Sequence, residues 1–438
     1  MGNAFEAPTE TEWGNPWDPD YFRIIAELGF SHVRIPIRWT TPERSMDTPS
    51  YTIFPAFLNR IQQAVDTALK YGLHPIINMH HHNALFENPQ QERARFLSQW
   101  EQIAHFFRNY PDSLLFEVMN EPNTNLTPGL WNQFFADALS TIRQTNPTRV
   151  VLLGTAEWGG LRAVRDLQIP NDPNIILTLH YYEPFQFTHQ GASWVAGSNV
   201  WLGTRWHNTD AERQTIINEF GYTIDFARRH NIPVNIGEFG AFSTADFDSR
   251  LQWTNFLARW FEEQGFSWTY WEFSAGFGIY NPSTRQFLQP LVDALLHNPM
   301  PPAATVQATP VLNHNFMNGT SGWFFHHAGT GTASMAVVQN RVNFNITNGG
   351  TEGWHVQFGR GGIPLIQGAM YRITFSANSH HSPRNIVSYL GMPASPWTSY
   401  SGHANFTVMP DEREYSYTFT MGSPGDANAR LEIGRAHV

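Results

Sequence analysis

Up to about residue 300, short apolar runs rich in β-branched residues alternate with longer amphipathic segments, and few folds accommodate that alternation. The runs are HVRIPI (32–37), PIINMH (75–80), LLFEVM (114–119), VVLLG (150–154), IILTLH (175–180), PVNIG (233–237) and SWTYW (267–271). Segments of helical period lie between them, among them Pro55 to Tyr71, Glu92 to Tyr110, Asp210 to His230 and Phe247 to Gln264. Repeated β-α units of this kind close into a parallel barrel sheathed by helices, so an α/β fold of the (β/α)8 TIM-barrel type is expected. Seven runs leave one strand wanting. The place for it is Met1 to Ala4, ahead of the helical segment Pro19 to Leu28, which is read as a shortened first strand.

At 438 residues the chain exceeds one such barrel, and a second domain is expected. NPMPPAATVQATP (298–310) is rich in Pro, Ala and Thr, lacks periodicity and reads as a linker. Beyond it come alternating runs such as MAVVQNRVNFNIT (335–347), YRITFSAN (371–378) and YSYTFTM (415–421), set between Gly, Asn and Ser clusters. That texture predicts an all-β, jelly-roll-like sandwich. The boundaries are a catalytic domain over 1–298, a linker over 299–310 and the sandwich over 311–438. ARLEI (429–433) reads as a final strand without a hydrophobic partner, followed by GRAHV (434–438), so the sandwich is expected to be truncated.

Charge and composition exclude several classes. With 27 Lys and Arg against 37 Asp and Glu, a formal charge of -10 and no basic run, the chain offers no phosphate-neutralising surface, so no nucleic-acid partner is expected. No run reaches the roughly 18 apolar residues of a membrane span. The absence of cysteine rules out disulfides, thiolate metal sites and a cysteine nucleophile. Met1 is followed at once by Gly2 and Asn3, so no leader peptide is read. Aromatic residues make up 14% against 15% charged, which suits both an aromatic core and stacking on the C–H faces of sugars.

In such a barrel, working groups project from the C-terminal ends of the strands. Those ends carry Arg34, His80, His81 and His82, Asn120 and Glu121, His180 and Tyr182, Glu238, and Trp271 and Glu272. Two carboxylates from different strands facing one cavity are what glycosidic cleavage requires, one protonating the leaving oxygen while the other attacks or activates water. An arginine and a tyrosine beside one of them would keep it ionised. Three consecutive histidines point to alternate sides of an extended segment, which argues against a metal site. By the same alternation Glu272 should turn away from the cavity if Trp271 faces it, and a structural role is expected for it.

VMNEP (118–122), IGEFG (236–240), VRIP (33–36), the histidines after PIIN, and HYY (180–182) resemble glycoside hydrolase family 5. GNAFEAP (2–8), TAEWGG (155–160), HYYEPFQFTHQGASW (180–194) and YWEFSAGFGIY (270–280) are similar to its bacterial endoglucanases, a branch that includes enzymes also cleaving mannans. The resemblance implies Glu121 as acid/base, Glu238 as nucleophile, and Asn120 on the 2-hydroxyl of the sugar at the cleavage site. Arg34 and Tyr182 would orient Glu238, His80 and His180 would complete the polar shell, and Trp271 would stack under the sugar. Asn3, Glu6, His81, Trp158, His189 and Trp194 are implied as further substrate contacts.

The C-terminal domain resembles carbohydrate-binding modules of the family 4 and 9 type through NxxFxNGTSGW (313–323), GWHVQFG (353–359) and YRITFSA (371–377). Trp354, Gln357, Arg384 and Trp397 are its candidate glycan contacts, with core tryptophans as the alternative. The expectation is a secreted, monomeric, retaining endo-β-1,4-glucanase acting on β-glucan or a related plant cell-wall polysaccharide, with no cofactor and no metal. Mannan, glucomannan or mixed-linkage glucan is the alternative substrate. A glycan-binding or inactive fragment is the alternative class.

Overall fold

The computed structural model describes residues 2–304, 311–312, 314–380 and 382–435. The chain divides into two compact units, Met1–Thr305 and Val306–Val438. In the first, seven strands run parallel among the described residues: β1 (His32–Ile35), β2 (His74–Asn78), β3 (Leu115–Glu117), β4 (Val151–Gly154), β5 (Ile175–His180), β6 (Val234–Phe239) and β7 (Ser267–Tyr270). They pair in chain order, giving a nearly closed barrel of the TIM type.

Local sequence explains where the outer helices begin and end. Pro55, Pro89 and Pro128 occupy first helical positions, where a missing N–H is not needed. Thr209 and Glu212 form a capping box ahead of Asp210–His230, and Asn231 closes that helix in the left-handed conformation at φ 49°. Asp246 caps Phe247–Glu263 through Ser249 N at 3.0 Å. No helix among the described residues is long and apolar enough to cross a membrane.

The strands match the expected runs but differ at their ends. Ladder pairing stops after Ile35, and Ile37 N donates instead to Asn78 Oδ1 at 3.0 Å. β6 extends two residues past the expected limit, so Glu238 lies on the strand itself. The N-terminal segment is a larger departure. Gly2 to Ala4 form turns rather than a strand, because the Glu6 carboxylate accepts the Asn3 and Ala4 N–H groups that a ladder would have used. Between β1 and β7 the contact is made by side chains, His32 Nε2 to Thr269 Oγ1 at 2.9 Å.

Much of the aromatic content serves the barrel rim. Trp39, Trp100, Trp131 and Trp253 are buried, and their indole N–H groups donate to the carbonyls of Asn78 (2.8 Å), Val118 (3.0 Å), Gly154 (2.7 Å) and Glu183 (3.1 Å). These carbonyls lie at or just past the ends of β2 to β5, where ladder partners run out, so the indoles satisfy buried acceptors and fix the rim. Beyond β7, β8 (Tyr280–Asn281) and β9 (Gln286–Phe287) form a short hairpin. The expected linker is ordered at its start: Asn208 and Arg213 bind the carbonyls of Pro302 and Pro301 at 3.0 and 2.5 Å. Residues 305–310 lie outside the described residues.

The second unit is built mainly of β-strands among the described residues, with one short 3-10 turn at Gly353–His355. Its five-stranded antiparallel sheet has the order β10 (Trp323–His327), β13 (Val356–Leu365), β18 (Asp426–Arg435), β15 (Arg384–Gly391), β16 (Ala404–Val408). Two further pairs are β11 (Thr332–Val338) with β12 (Arg341–Asn348), and β14 (Met370–Ala377) with β17 (Arg413–Thr420). Ile363, Leu365, Ile373, Leu390, Met421, Ala429 and Leu431 form its core. The run ARLEI corrects the expectation of an unpaired last strand: it belongs to β18, which lies between β13 and β15 with Glu432 opposite both Gly359 and Tyr389. Asn313 of the NxxF motif and residues 436–438 of GRAHV lie outside the described residues.

Candidate active site

Parallel strands bring their C-terminal ends to one rim, and the polar residues there meet in a single network. Arg34 on β1 is buried, and all three nitrogens of its planar fork donate hydrogen bonds. Nε and Nη2 donate to Glu117 at 2.5 and 2.6 Å, Nη1 donates to Glu238 Oε1 at 2.6 Å, and Nη2 also donates to Asn120 Oδ1 at 2.6 Å. Tyr182 OH donates to the other Glu238 oxygen at 2.8 Å. His180 Nδ1 lies 2.7 Å from Glu121 Oε1 and 3.7 Å from Glu238 Oε2. A donor atom from each of Glu121, His180 and Glu238 falls within 4.8 Å of the others. That spacing would also suit a cation, although Glu238 already holds bonds from Arg34 and Tyr182.

Two glycines let this cluster close. A Cβ at Gly237 would lie 2.7 Å from Thr178 Oγ1 and 3.3 Å from His180 Nε2, and one at Gly240 would collide with the Trp271 carbonyl. Thus both glycines of IGEFG flank Glu238 because the backbone there touches its neighbours.

The environments of the two carboxylates differ. The Glu238 side chain is 6% exposed and that of Glu121 27%. Burial alone would raise Glu238, but the charges of His180 and Arg34 and the hydrogen bonds from Tyr182 and Arg34 outweigh it and hold the group below its ordinary value. For Glu121 burial dominates, and it stays above its ordinary value despite the hydrogen bond and charge of His180. Burial opposes charge on His180 too, yet the two carboxylates raise it. One carboxyl is thus biased toward the anion and its neighbour toward the acid.

Around them, His80 is buried against Trp271, with ring centroids 5.5 Å apart and planes 9° from parallel. His81 sits edge-on to His80 at 4.6 Å, while His82, the N-cap of the short helix Asn83–Glu87, turns away to Glu92 at 3.1 Å; the three rings depart from strict alternation because they follow the end of β2 at Asn78. Burial pushes His81 down to about 4, and His80 well below its usual value, which biases both rings toward the neutral form. His80, His81, Asn120, Glu121 and the exposed Trp158 line one pocket of about 340 Å³. His189 is buried, stacks on Phe185 at 4.1 Å and meets Tyr182 edge-on at 4.9 Å, and the exposed Trp194 packs edge-on against Phe242 at 4.9 Å. Asn3 is half-buried at φ 66°.

Two carboxylates depart from their expected settings or escaped notice. Glu6 is 1% exposed and accepts the Asn3 and Ala4 N–H groups, which makes it a brace for the N-terminal turn. Glu117, which holds Arg34, was missed; the sign available was an acid inside the apolar run LLFEVM. Glu272 is turned from the cavity, accepting the N–H groups of Ser274 (3.1 Å) and Ala275 (2.7 Å).

Residues 2–276 match the model of cellulase (glycosyl hydrolase family 5). The chain belongs to glycosyl hydrolase family 5. Residues 309–434 match a carbohydrate binding domain model. Among relatives, Endoglucanase H of Acetivibrio thermocellus is 38% identical over 304 residues, which is 68% of this chain and 32% of that protein. Cellulase/esterase CelE of the same organism is 33% identical over 307 residues, 65% of this chain and 36% of that protein. The chain therefore spans about a third of the length of these relatives. Among solved structures, Thermotoga maritima Cel5A in complex with cellobiose is similar, with a TM-score of 0.66 and 43% identity over 68% of this chain and 96% of that one. The same protein with mannotriose matches equally, with a TM-score of 0.66 and 43% identity.

In the second unit the candidate contacts separate. Gln357 donates to Glu432, which pairs with Arg430, and Arg430 lies 4.9 Å from the ring of the exposed Trp397 and 5.3 Å from Phe324. Register puts Tyr389 opposite Glu432, so these residues share one face. Arg384 corrects the expected grouping. Counting along β15 in steps of two, it shares a face with Leu390, a core residue, and not with Tyr389. Trp354 is exposed beside His355, with ring centroids 4.4 Å apart.

Proposed function

We propose that the family 5 unit is a retaining endo-β-1,4-glucanase. The carrying observation is the closeness of Glu121 and Glu238, whose nearest oxygens fall within 4.8 Å. Retaining glycosidases hold their carboxyl groups about 5–5.5 Å apart, whereas inverting ones leave roughly 6.5–9.5 Å for a water. Glu238, held as an anion by Arg34 and Tyr182, attacks the anomeric carbon as Glu121 gives its proton to the departing glycosidic oxygen. Glu121 then takes a proton from water as that water attacks the same carbon, and Glu238 is released. Asn120, fixed through Arg34, is placed for the sugar 2-hydroxyl, with Trp271 and His80 as floor and shell. His81, Trp158, His189, Trp194 and Asn3 are assigned to the cleft around them. No step is assigned to a metal or cofactor.

The substrate is β-1,4-glucan in this reading, with secretion and a monomeric state as parts of it. Similarity to a structure in complex with mannotriose supports mannan as a second substrate. The second unit is proposed to bind glycan through the face bearing Gln357, Glu432, Arg430 and Trp397. Proton NMR of fresh product from a cellooligosaccharide tests the mechanism, and a first product of inverted configuration overturns it. Parallel assays on carboxymethylcellulose and mannan separate the substrates. Glu238→Ala must abolish both activities, and a wild-type chain inert on both would leave only the glycan-binding reading.

A further inference from the structure

We propose that Glu117 is a positioning residue that locks the Arg34 guanidinium in the plane from which it holds Glu238, the inference resting on Glu238 as nucleophile. Glu117 is 0% exposed, so it touches no sugar, and it lies one strand pairing beyond β2 from Arg34, on the inner side of β3. Its two oxygens take Arg34 Nε and Nη2 side-on at 2.5 and 2.6 Å. A planar fork held along one edge has a single orientation, and that orientation aims Nη1 at Glu238 Oε1 (2.6 Å) and the second Nη2 hydrogen at Asn120 Oδ1 (2.6 Å). One buried side chain thereby sets the direction of contacts made to both the attacking carboxylate and the 2-hydroxyl partner.

Glu117 also shares the cation. Arg34 lies between two carboxylates, so Glu238 feels only part of its charge. The other groups facing Glu238 are Glu121 from the segment after β3, His180 and Tyr182 from the end of β5, and more distantly His81 and His189. Glu117 is the group among these whose removal unbalances Arg34 without touching substrate.

The test is Glu117→Gln in the full chain, with kcat and KM measured against pH on a soluble cellooligosaccharide. A glutamine would present an amide N–H to one arm of the fork, turning the guanidinium and leaving its charge unshared. The expected result is a fall in kcat/KM of about 10- to 100-fold carried by kcat, with KM little changed. The acid limb of the profile should move to lower pH, because an uncompensated cation favours the ionised nucleophile. Glu117→Asp keeps the charge while losing reach, so its rate should fall with the acid limb at the wild-type position. A Glu117→Gln enzyme within twofold of wild type, or one with lowered rate, raised KM and an unmoved limb, overturns the proposal. If Glu117→Gln does not fold, a displaced limb in Glu117→Asp overturns it. Glu238→Ala separates the two readings, since activity surviving there sinks the nucleophile assignment itself.

Discussion

His180 directs one ring nitrogen at Glu121, 2.7 Å away, while the same atom stands 3.7 Å from Glu238. The imidazole therefore lowers both carboxyls at once and is raised by both in return. Its other nitrogen, Nε2, is buried and has no hydrogen-bond partner among the described residues. Replacing His180 with Gln removes a positive charge from both neighbours. Both limbs of the kcat/KM–pH profile should move to higher pH, and a profile that keeps its limbs in place would refute this account.

Tyr182→Phe removes the hydrogen bond to Glu238 Oε2 and nothing else of comparable size. Loss of a charge-assisted bond of about 1.5–3 kcal/mol should lower kcat/KM by roughly 10- to 100-fold and move the acid limb upward. Steady-state kinetics across pH check both effects.

Glu6 makes stability depend on pH in a definite direction. Burial raises this carboxyl from 4.5 to about 7 in the folded protein, against the backbone hydrogen bonds that pull it down. Its protonated form is thus favoured by folding, and the associated stability is present below pH 4.5 and lost as pH rises through about 7. Glu6→Gln should gain on the wild type by up to about 3 kcal/mol between pH about 5 and about 8 in denaturant unfolding. A difference that stays constant across that range would refute the assignment.

Trp100→Phe keeps an aromatic ring in the core but strands the Val118 carbonyl, two residues before Asn120. A cost of about 1–3 kcal/mol is expected from the unsatisfied buried acceptor, readable as a lowered Tm.

In the second unit, Trp397→Ala should weaken retardation in gels containing soluble β-glucan, because it strips the platform beside Arg430. Arg384→Ala, on the opposite face of the sheet, should migrate as wild type. Equal loss from both substitutions would place the glycan elsewhere.

The barrel was legible because each strand is a β-branched run and each break carries its own signal, such as Pro55 and Pro89 at first helical positions. Glu121 and Glu238 were legible because their flanks carry a family pattern. Glu117 was not, since its meaning lies in a contact with a residue 83 positions away, and an acid in an apolar run does not name its partner. The turn at Gly2 to Ala4 escaped for a related reason. Only the fold brings the Glu6 carboxylate to rest under two backbone donors, and the segment alone suggested a strand. In the sandwich, reading strands one after another suggested that the last would lack a neighbour. Antiparallel pairing inserts β18 between β13 and β15, and that same register assigns Arg384 to the other face.

The side-chain contact between His32 and Thr269 divides the working parts into two groups. Arg34 and Trp271 stand on the two lips of that seam, whereas Glu121, His180 and Glu238 belong to the unbroken run of strands opposite it. Arg34 reaches over the seam to Glu238 and Trp271 packs on His80, so these two side chains bridge it, and warming that parts the lips should break those contacts before the ladder from β2 to β6 comes apart. Loss of turnover ahead of any loss of the barrel's circular dichroism is the expected order on heating.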